Sequence, residues 1–316
     1  MANKQIDFTE KIKSALFGIA VGDALGIPFE SEPRSNLKEK PVNDMVGYGN
    51  HLQPAGTWSD DSSLTFCLAE SLCNGFNIQD IANKFCKWFY EGYWTPYGEP
   101  FDIGNTTLEA VIRLKHGVNP VEAGGFYESS NGNGSLMRIL PLVFYLENLL
   151  ISEQFDITHK VSSITHAHIR SQMACGLYLQ FAIEILRGNK LFGAYEKMKQ
   201  TVLSYYSKPP FSSELKHFSR ILNANISDLS GEDIVSDGYV VSTLEASIWC
   251  LLTTENFKDA VLKAVNLGED TDTTGAVTGG LAGMLYGYDN IPKEWINKIA
   301  RKEDIENLAE RLGATI

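Results

Sequence analysis

Helical periodicity runs along this chain from end to end, and alternation of apolar and polar positions over strand lengths is scarce. Leu64, Leu68 and Leu72 mark one face of a helix that opens near Ser59. Leu244, Ile248 and Leu251 do the same inside the run SDGYVVSTLEASIWCLLTT. Further helical patterns cover residues 78–93, a segment from about Asn105, and the run ITHAHIRSQMACGLYLQFAIEIL. The closing segments, from Pro292 onward, are amphipathic and charged. No linker or break in composition divides the chain. The pattern predicts an all-α fold, a single compact multi-helix domain over residues 1–316.

Two predicted helices carry a ladder of small residues. The first, residues 9–24, has Thr9 as its cap and ends at Pro28; along it stand Ala15, Gly18 and Gly22, with Gly26 just beyond. The second lies in LGEDTDTTGAVTGGLAG, where Gly275, Gly279 and Gly283 recur at four-residue spacing. That spacing puts them on one helical face. Glycine inside a helix costs about 1 kcal/mol relative to alanine. Such a ladder therefore implies close approach of another backbone, and we expect the two helices to pack together in the core.

Oxygen-rich groups collect at two predicted helix starts. Glu269, Asp270 and Asp272 stand among the hydroxyls of Thr271, Thr273 and Thr274, and Ser59, Asp60 and Asp61 open the Leu64 helix. Either set alone reads as helix capping. Together they look like two halves of a cage for hard cations, with two divalent ions about 3.5–4 Å apart as the natural occupants. Asp23 interrupts the small, apolar run GIAVGDALGIPFE, where it either caps or pairs locally or faces a polar site. Glu30 follows in the exit turn, and Asp102 precedes Gly104.

Residues 129–141, SSNGNGSLMRILP, place Gly132, Asn133 and Gly134 ahead of a predicted apolar helix. Such a turn exposes N–H groups able to hold a phosphate, although the P-loop pattern is missing. His166 and His168 are two apart and point to different faces, a poor spacing for one zinc ion. Residues 31–54, rich in Pro, Gly, Asn and charge, predict a long, partly ordered loop of the kind that is often functional.

Bulk properties narrow the partners. A net charge of −12 argues against a nucleic-acid backbone and leaves room for a small anion held by metal ions and amides. Cys67, Cys73, Cys86, Cys175 and Cys250 form no CxxC pair and fit a reducing compartment. The first residues lack a signal-peptide apolar run, and no apolar stretch is expected to reach the ~20 residues that span a bilayer. A cytoplasmic protein with no membrane partner is the expectation.

In order, GIAVGDALGIPFE, GTWSDDS, FDIGNTT, NGNGSLMR, ITHAH, GYVVSTLEASIW and GEDTDTTGAVTGGLAG resemble the ADP-ribosylglycohydrolase family. That family includes the dinitrogenase reductase-activating glycohydrolase and the ADP-ribosylarginine and ADP-ribosylserine hydrolases. The matches span residues 18–283. The resemblance implies a binuclear Mg²⁺ or Mn²⁺ centre held by Ser59, Asp60, Asp61, Asp270, Asp272 and Thr273. Ser59 stands where threonine is common and keeps the hydroxyl. Glu30 matches a glutamate near the scissile bond of the serine-type enzymes, and Asp102 an aspartate near the ribose of the arginine-type enzymes. These two, with Asp61, are the candidate catalytic carboxylates. The turn of Asn131, Gly132, Asn133, Gly134 and Ser135, with Met137, matches the segment that wraps diphosphate and ribose. His166 and Tyr239 match positions near the nucleotide.

The implied reaction is hydrolysis at ribose C1″, most simply of ADP-ribosylarginine on a protein substrate, with ADP-ribose as product and a monomeric enzyme. Alternatives are O-linked ADP-ribose (serine or O-acetyl), an ADP-ribosylated nucleobase or metabolite, a generic phosphohydrolase, and a non-enzymatic relative. Degenerate members lose metal ligands, whereas all four aspartates are present here.

Overall fold

Two helices from opposite ends of the chain form the axis of the molecule. The computed structural model describes residues 8–316. Its helices are α1 (Phe8–Gly26), α2 (Arg34–Glu39), α3 (Asp60–Leu72), α4 (Ile78–Glu91) and α5 (Asn105–Lys115). There follow α6 (Leu142–Leu146), α7 (Ile151–Ser163), α8 (Ile169–Leu186), α9 (Leu191–Tyr206) and α10 (Ser219–Leu222). The last are α11 (Val240–Leu252), α12 (Phe257–Val265), α13 (Thr271–Tyr286), α14 (Lys293–Ile296) and α15 (Lys302–Gly313). Isolated bridges join Tyr48 to Gln53, Gly125 to His166 and Gly132 to Tyr239.

α1 and α13 lie flush, as their glycine ladders predict. A Cβ on Gly18 would stand 2.2 Å from the Gly279 carbonyl oxygen, and one on Gly22 2.0 Å from that of Gly275. No side chain fits at such a crossing, which is why glycine is used despite its helix penalty. α8, α11 and α12 pack on α13, while α3 and α15 pack on α1, giving a single compact helical domain. The two axial helices are buried nearly all round. They bring the starts of α3 and α13 to one end of the bundle.

The structure corrects several expectations. α1 runs two residues past Ala24 to Gly26 and ends before Pro28, which sits in a following 3-10 turn (Ile27–Phe29). The 31–54 loop contains α2 and a 3-10 turn, Gly49–His51. The run starting at Ile164 is not one helix: α7 ends at Ser163 and α8 begins at Ile169. His168 caps α8, its Nδ1 accepting from the Arg170 N–H at 3.1 Å. The apolar helix expected after the glycine turn comes late and short: residues 134–138 are turns, and α6 begins only after Pro141. Proline lacks the N–H a helix needs and disfavours helical backbone at the residue before it. Finally, residues 8–29 are long and apolar enough to span a bilayer, contrary to expectation. Within the fold 89% of that window is buried, so its apolarity is spent on the core.

Candidate active site

The floor of the site is built where α3 and α13 begin. Ser59 caps α3, its Oγ accepting from the Asp61 N–H at 3.2 Å. Asp60 and Asp61 occupy the first turn of α3; Asp270 immediately precedes α13 and Asp272 lies in its first turn. Thr273 Oγ1 donates to Asp61 Oδ2 at 3.3 Å and ties the two halves together. Asp23 reaches the same place from α1. It accepts from the Ser59 N–H at 3.0 Å, the Ser62 N–H at 3.1 Å and the Ser62 hydroxyl at 2.6 Å. It is therefore a cap supplied across the core to α3. Carboxylate oxygens of Asp23, Asp61 and Asp272 lie within 4.8 Å of one another.

This floor is electrostatically incomplete. Asp61 and Asp272 are each 1% exposed, and Oδ1 of each lacks a hydrogen-bond partner among the described residues. Burial pushes the carboxyls of Asp60, Asp61 and Asp272 well above the usual range, and the neighbouring carboxylates push further. Burial also raises Asp270, while a hydrogen bond from Asn133 pulls it back. Asp23 is raised by burial against its donated hydrogen bonds. Buried carboxylates without counter-charge are expensive. Oxygen donors with unfilled lone pairs fit hard divalent cations, which would both neutralise the cluster and fill those positions.

The rim is made of loops. Glu30, His51 and Asp102 form a second group whose ligand-type atoms lie within 4.8 Å of one another. His51 Nε2 pairs with Glu30 Oε2 and stands 3.9 Å from Asp102 Oδ1. Its ring packs 5.6 Å from that of Phe101. The hydrogen bond to Glu30 holds the His51 pKa above its ordinary value. Asp102 has φ of 63°, a left-handed backbone that costs strain in a non-glycine residue, though less in aspartate than in most. Burial raises its pKa, and a contact with Asp272 lowers it.

Floor and rim enclose a cavity of about 400 Å³, within the range of small-molecule sites. Glu30, Asp60, Asp102, Asp270, Asp272 and Thr273 line one side. Gly132, Asn133, Gly134, Met137 and His166 line the other. Asn133 links the two, donating from Nδ2 to Asp270 Oδ2 at 2.7 Å and to Thr243 Oγ1 at 2.9 Å. Gly134 is bare because a Cβ there would meet the His166 ring at 2.8 Å.

Other residues singled out by sequence lie elsewhere. Ser59 and Asp61 sit one layer below the cavity wall. Asn131 accepts from the Ser171 hydroxyl and donates to the Glu128 carbonyl oxygen. Ser135 is buried against Ser162 and Cys175. Tyr239 turns its ring towards Arg170, 5.9 Å away, and only its backbone braces Gly132. These three hold the turn without facing the cavity, because consecutive residues of a turn point in different directions. His51 escaped the sequence reading, since a lone histidine in a Pro- and Gly-rich loop carries no local signal. Thr106 and Thr107, in the first turn of α5, also line the cavity; in sequence they read as ordinary helix-start residues.

A helical domain that gathers buried carboxylates from helix starts beneath a glycine turn has the build of a hydrolase with an acidic centre. The chain belongs to the ADP-ribosylglycohydrolase family, which it matches over residues 4–316. It is 36% identical to the ADP-ribosylarginine hydrolase Tri1 of Serratia proteamaculans over 96% of this chain and 79% of that protein. It is 27% identical to the ADP-ribosyl dinitrogen reductase glycohydrolase of Rhodospirillum rubrum, over 94% of this chain and 92% of the other. A solved ADP-ribosylglycohydrolase-related protein complex superposes with a TM-score of 0.81 at 30% identity, covering 98% of this chain and 99% of that one.

Proposed function

We propose that this protein hydrolyses the bond between ribose C1″ and the arginine guanidino nitrogen of ADP-ribosylated proteins, releasing ADP-ribose. The observation that carries the reading is one cavity lined both by Asp60, Asp270 and Asp272 of the floor and by the glycine turn. Likeness to named ADP-ribosylarginine hydrolases supports the choice of arginine. Residues 1–316 act as a single catalytic domain, and we place the enzyme in the cytoplasm as a monomer.

Ser59, Asp60, Asp61, Asp270, Asp272 and Thr273 are proposed to hold two divalent ions, Mg²⁺ or Mn²⁺. Such a pair, when bound, orients sugar hydroxyls and makes a bound water more acidic. The chain's own groups do the rest. Asp102, fixed by its left-handed backbone at the cavity wall, is the proposed general base that takes a proton from the attacking water at its carboxylate oxygen. The carboxylates of the floor favour the positive charge that develops at C1″ in an oxocarbenium-like transition state. Asn133 orients Asp270 and ties its own N–H to the Gly238 carbonyl oxygen, while the Gly132 and Gly134 N–H groups are offered to the diphosphate.

Glu30 favours a second reading, O-linked ADP-ribose, because it also lines the cavity, paired to His51. The deciding experiment measures ADP-ribose release from arginine-linked and serine-linked proteins, each with Mg²⁺, Mn²⁺ or chelator. Metal-dependent release from arginine alone is expected. Release from serine alone would overturn the arginine assignment and pass the leading role to Glu30.

A further inference from the structure

Arg138 is a buried cation that the reaction does not explain. Its guanidinium is 0% exposed, lies over the Phe85 ring at 4.6 Å and meets no carboxylate among the described residues. Nε and Nη1 have no hydrogen-bond partner among the described residues. Nη2 donates to Thr165 Oγ1 at 2.7 Å and more weakly to the Val161 carbonyl oxygen at 3.4 Å. Thr165 Oγ1 in turn lies 2.8 Å from His166 Nδ1. Beyond it, the His166 ring lies against Gly132 and Gly134 and lines the cavity.

The direction of every proton in this chain follows from the groups involved. A guanidinium only donates. Thr165 Oγ1 therefore accepts from Arg138 and has one O–H left to place. The acceptor within reach is His166 Nδ1. Were Nδ1 protonated, the hydroxyl oxygen would receive two donors and its own buried proton would face none. The remaining ring proton is thus driven to Nε2, which has no hydrogen-bond partner among the described residues.

We propose that Arg138 and Thr165 are positioning residues that lock His166 as the neutral Nε2–H tautomer, so that the ring presents a hydrogen-bond donor to an acceptor oxygen of the bound substrate. The adjoining glycine turn makes that acceptor a phosphoryl oxygen of a nucleoside diphosphate; this assignment rests on the function proposed above, whereas the tautomer does not. A hydroxyl that accepts from a cation is a stronger donor, and the polarisation passes on to Nε2–H. Burial, then the Arg138 charge, pull the His166 pKa down to about 3, so the ring stays neutral across physiological pH.

Long-range ¹H–¹⁵N spectra of the imidazoles, on the full-length Mg²⁺-loaded protein, test this directly. The His166 signal is assigned by its loss in His166→Gln. The expected wild-type pattern is that of Nε2–H, unchanged from about pH 5.5 to 8. Thr165→Val should move the signal to Nδ1–H or a mixture and weaken binding of both ADP and ADP-ribose roughly tenfold, the scale of one lost hydrogen bond to a charged group. Thr165→Ser should restore both. A wild-type signal of the Nδ1–H form, an imidazolium titrating near the ordinary value, or a Thr165→Val spectrum like wild type would each overturn the relay. A loss confined to ADP-ribose, with ADP binding intact, would overturn the phosphoryl assignment. Because the tautomer is read without turnover, it stands or falls separately from the arginine assignment.

Discussion

The floor and the rim of the cavity both present carboxylates, yet they are built by opposite means. The floor's acids sit at the starts of α3 and α13, clamped by Asp23 and by two helices in backbone contact. Asp60, Asp61 and Asp272 are at most 5% exposed, Asp270 is half-buried, and their position cannot change without moving the core. The rim's Glu30, His51 and Asp102 come from loops, with left-handed backbone at Ser31, Tyr48, Leu52 and Asp102. His51 pairs with Glu30 and stands near Asp102, which also touches Asp272 of the floor. The floor therefore fixes where charge is held, while the rim adjusts what approaches it. Substitutions should separate the two.

The largest effect is expected at the floor. Asp272→Ala should abolish ADP-ribose release with the helical content retained by circular dichroism; substantial activity in that variant would break the proposed division. The same residue gives a sharper sign. With chelator present, Asp272→Asn should unfold at the same or a higher temperature than wild type, because it removes one of several like charges buried together. A clear drop in thermal stability there would show that the carboxylate is satisfied by the protein alone.

Divalent metal is the next lever. Ions that bind the folded form alone raise its stability by mass action, about 2.7 kcal/mol at a hundredfold excess over Kd. Mg²⁺ or Mn²⁺ should raise the unfolding temperature of wild type by several degrees, and this shift should vanish in Asp61→Asn. At the rim, Asp102→Asn should lower kcat by roughly 10²–10⁴-fold, the range for a lost general base, with the metal-induced stabilisation intact. A loss of that stabilisation would move Asp102 into the floor.

The smallest effect belongs to His51. Its pKa is raised by Glu30, so the folded state favours the imidazolium. The pairing thus stabilises the protein fully below the ordinary histidine value near 6.5, and this contribution fades as pH rises through the raised folded value. Thermal unfolding of wild type and His51→Ala should differ most near pH 6 and converge at alkaline pH. A difference that grows with pH would reverse the assignment.

The same contrast explains what could be read in advance. Helix starts write themselves in consecutive residues, so Ser59, Asp60, Asp61, Asp270 and Asp272 were visible as two clusters, and the glycine ladders announced the contact that unites them. Asp23 was visible only as an anomaly, because its partners lie 36 and 39 residues away. His51 depends on a fold-level meeting of two loops and left no trace in its neighbours. Asn131, Ser135 and Tyr239 show the reverse limit, since a motif gives proximity to a site but not the direction in which each side chain points.

The contact between α1 and α13 has a consequence for biosynthesis. Thr271 caps onto Gly26 across 245 positions. On a ribosome adding about 5–20 residues per second, α1 leaves the exit tunnel roughly ten to fifty seconds before its partner exists. During that interval a helix apolar enough to enter a bilayer lacks α13 and α15, two of the helices that cover it. Production of this enzyme in cells should accordingly depend on holding factors that shield its first thirty residues until the last quarter of the chain arrives.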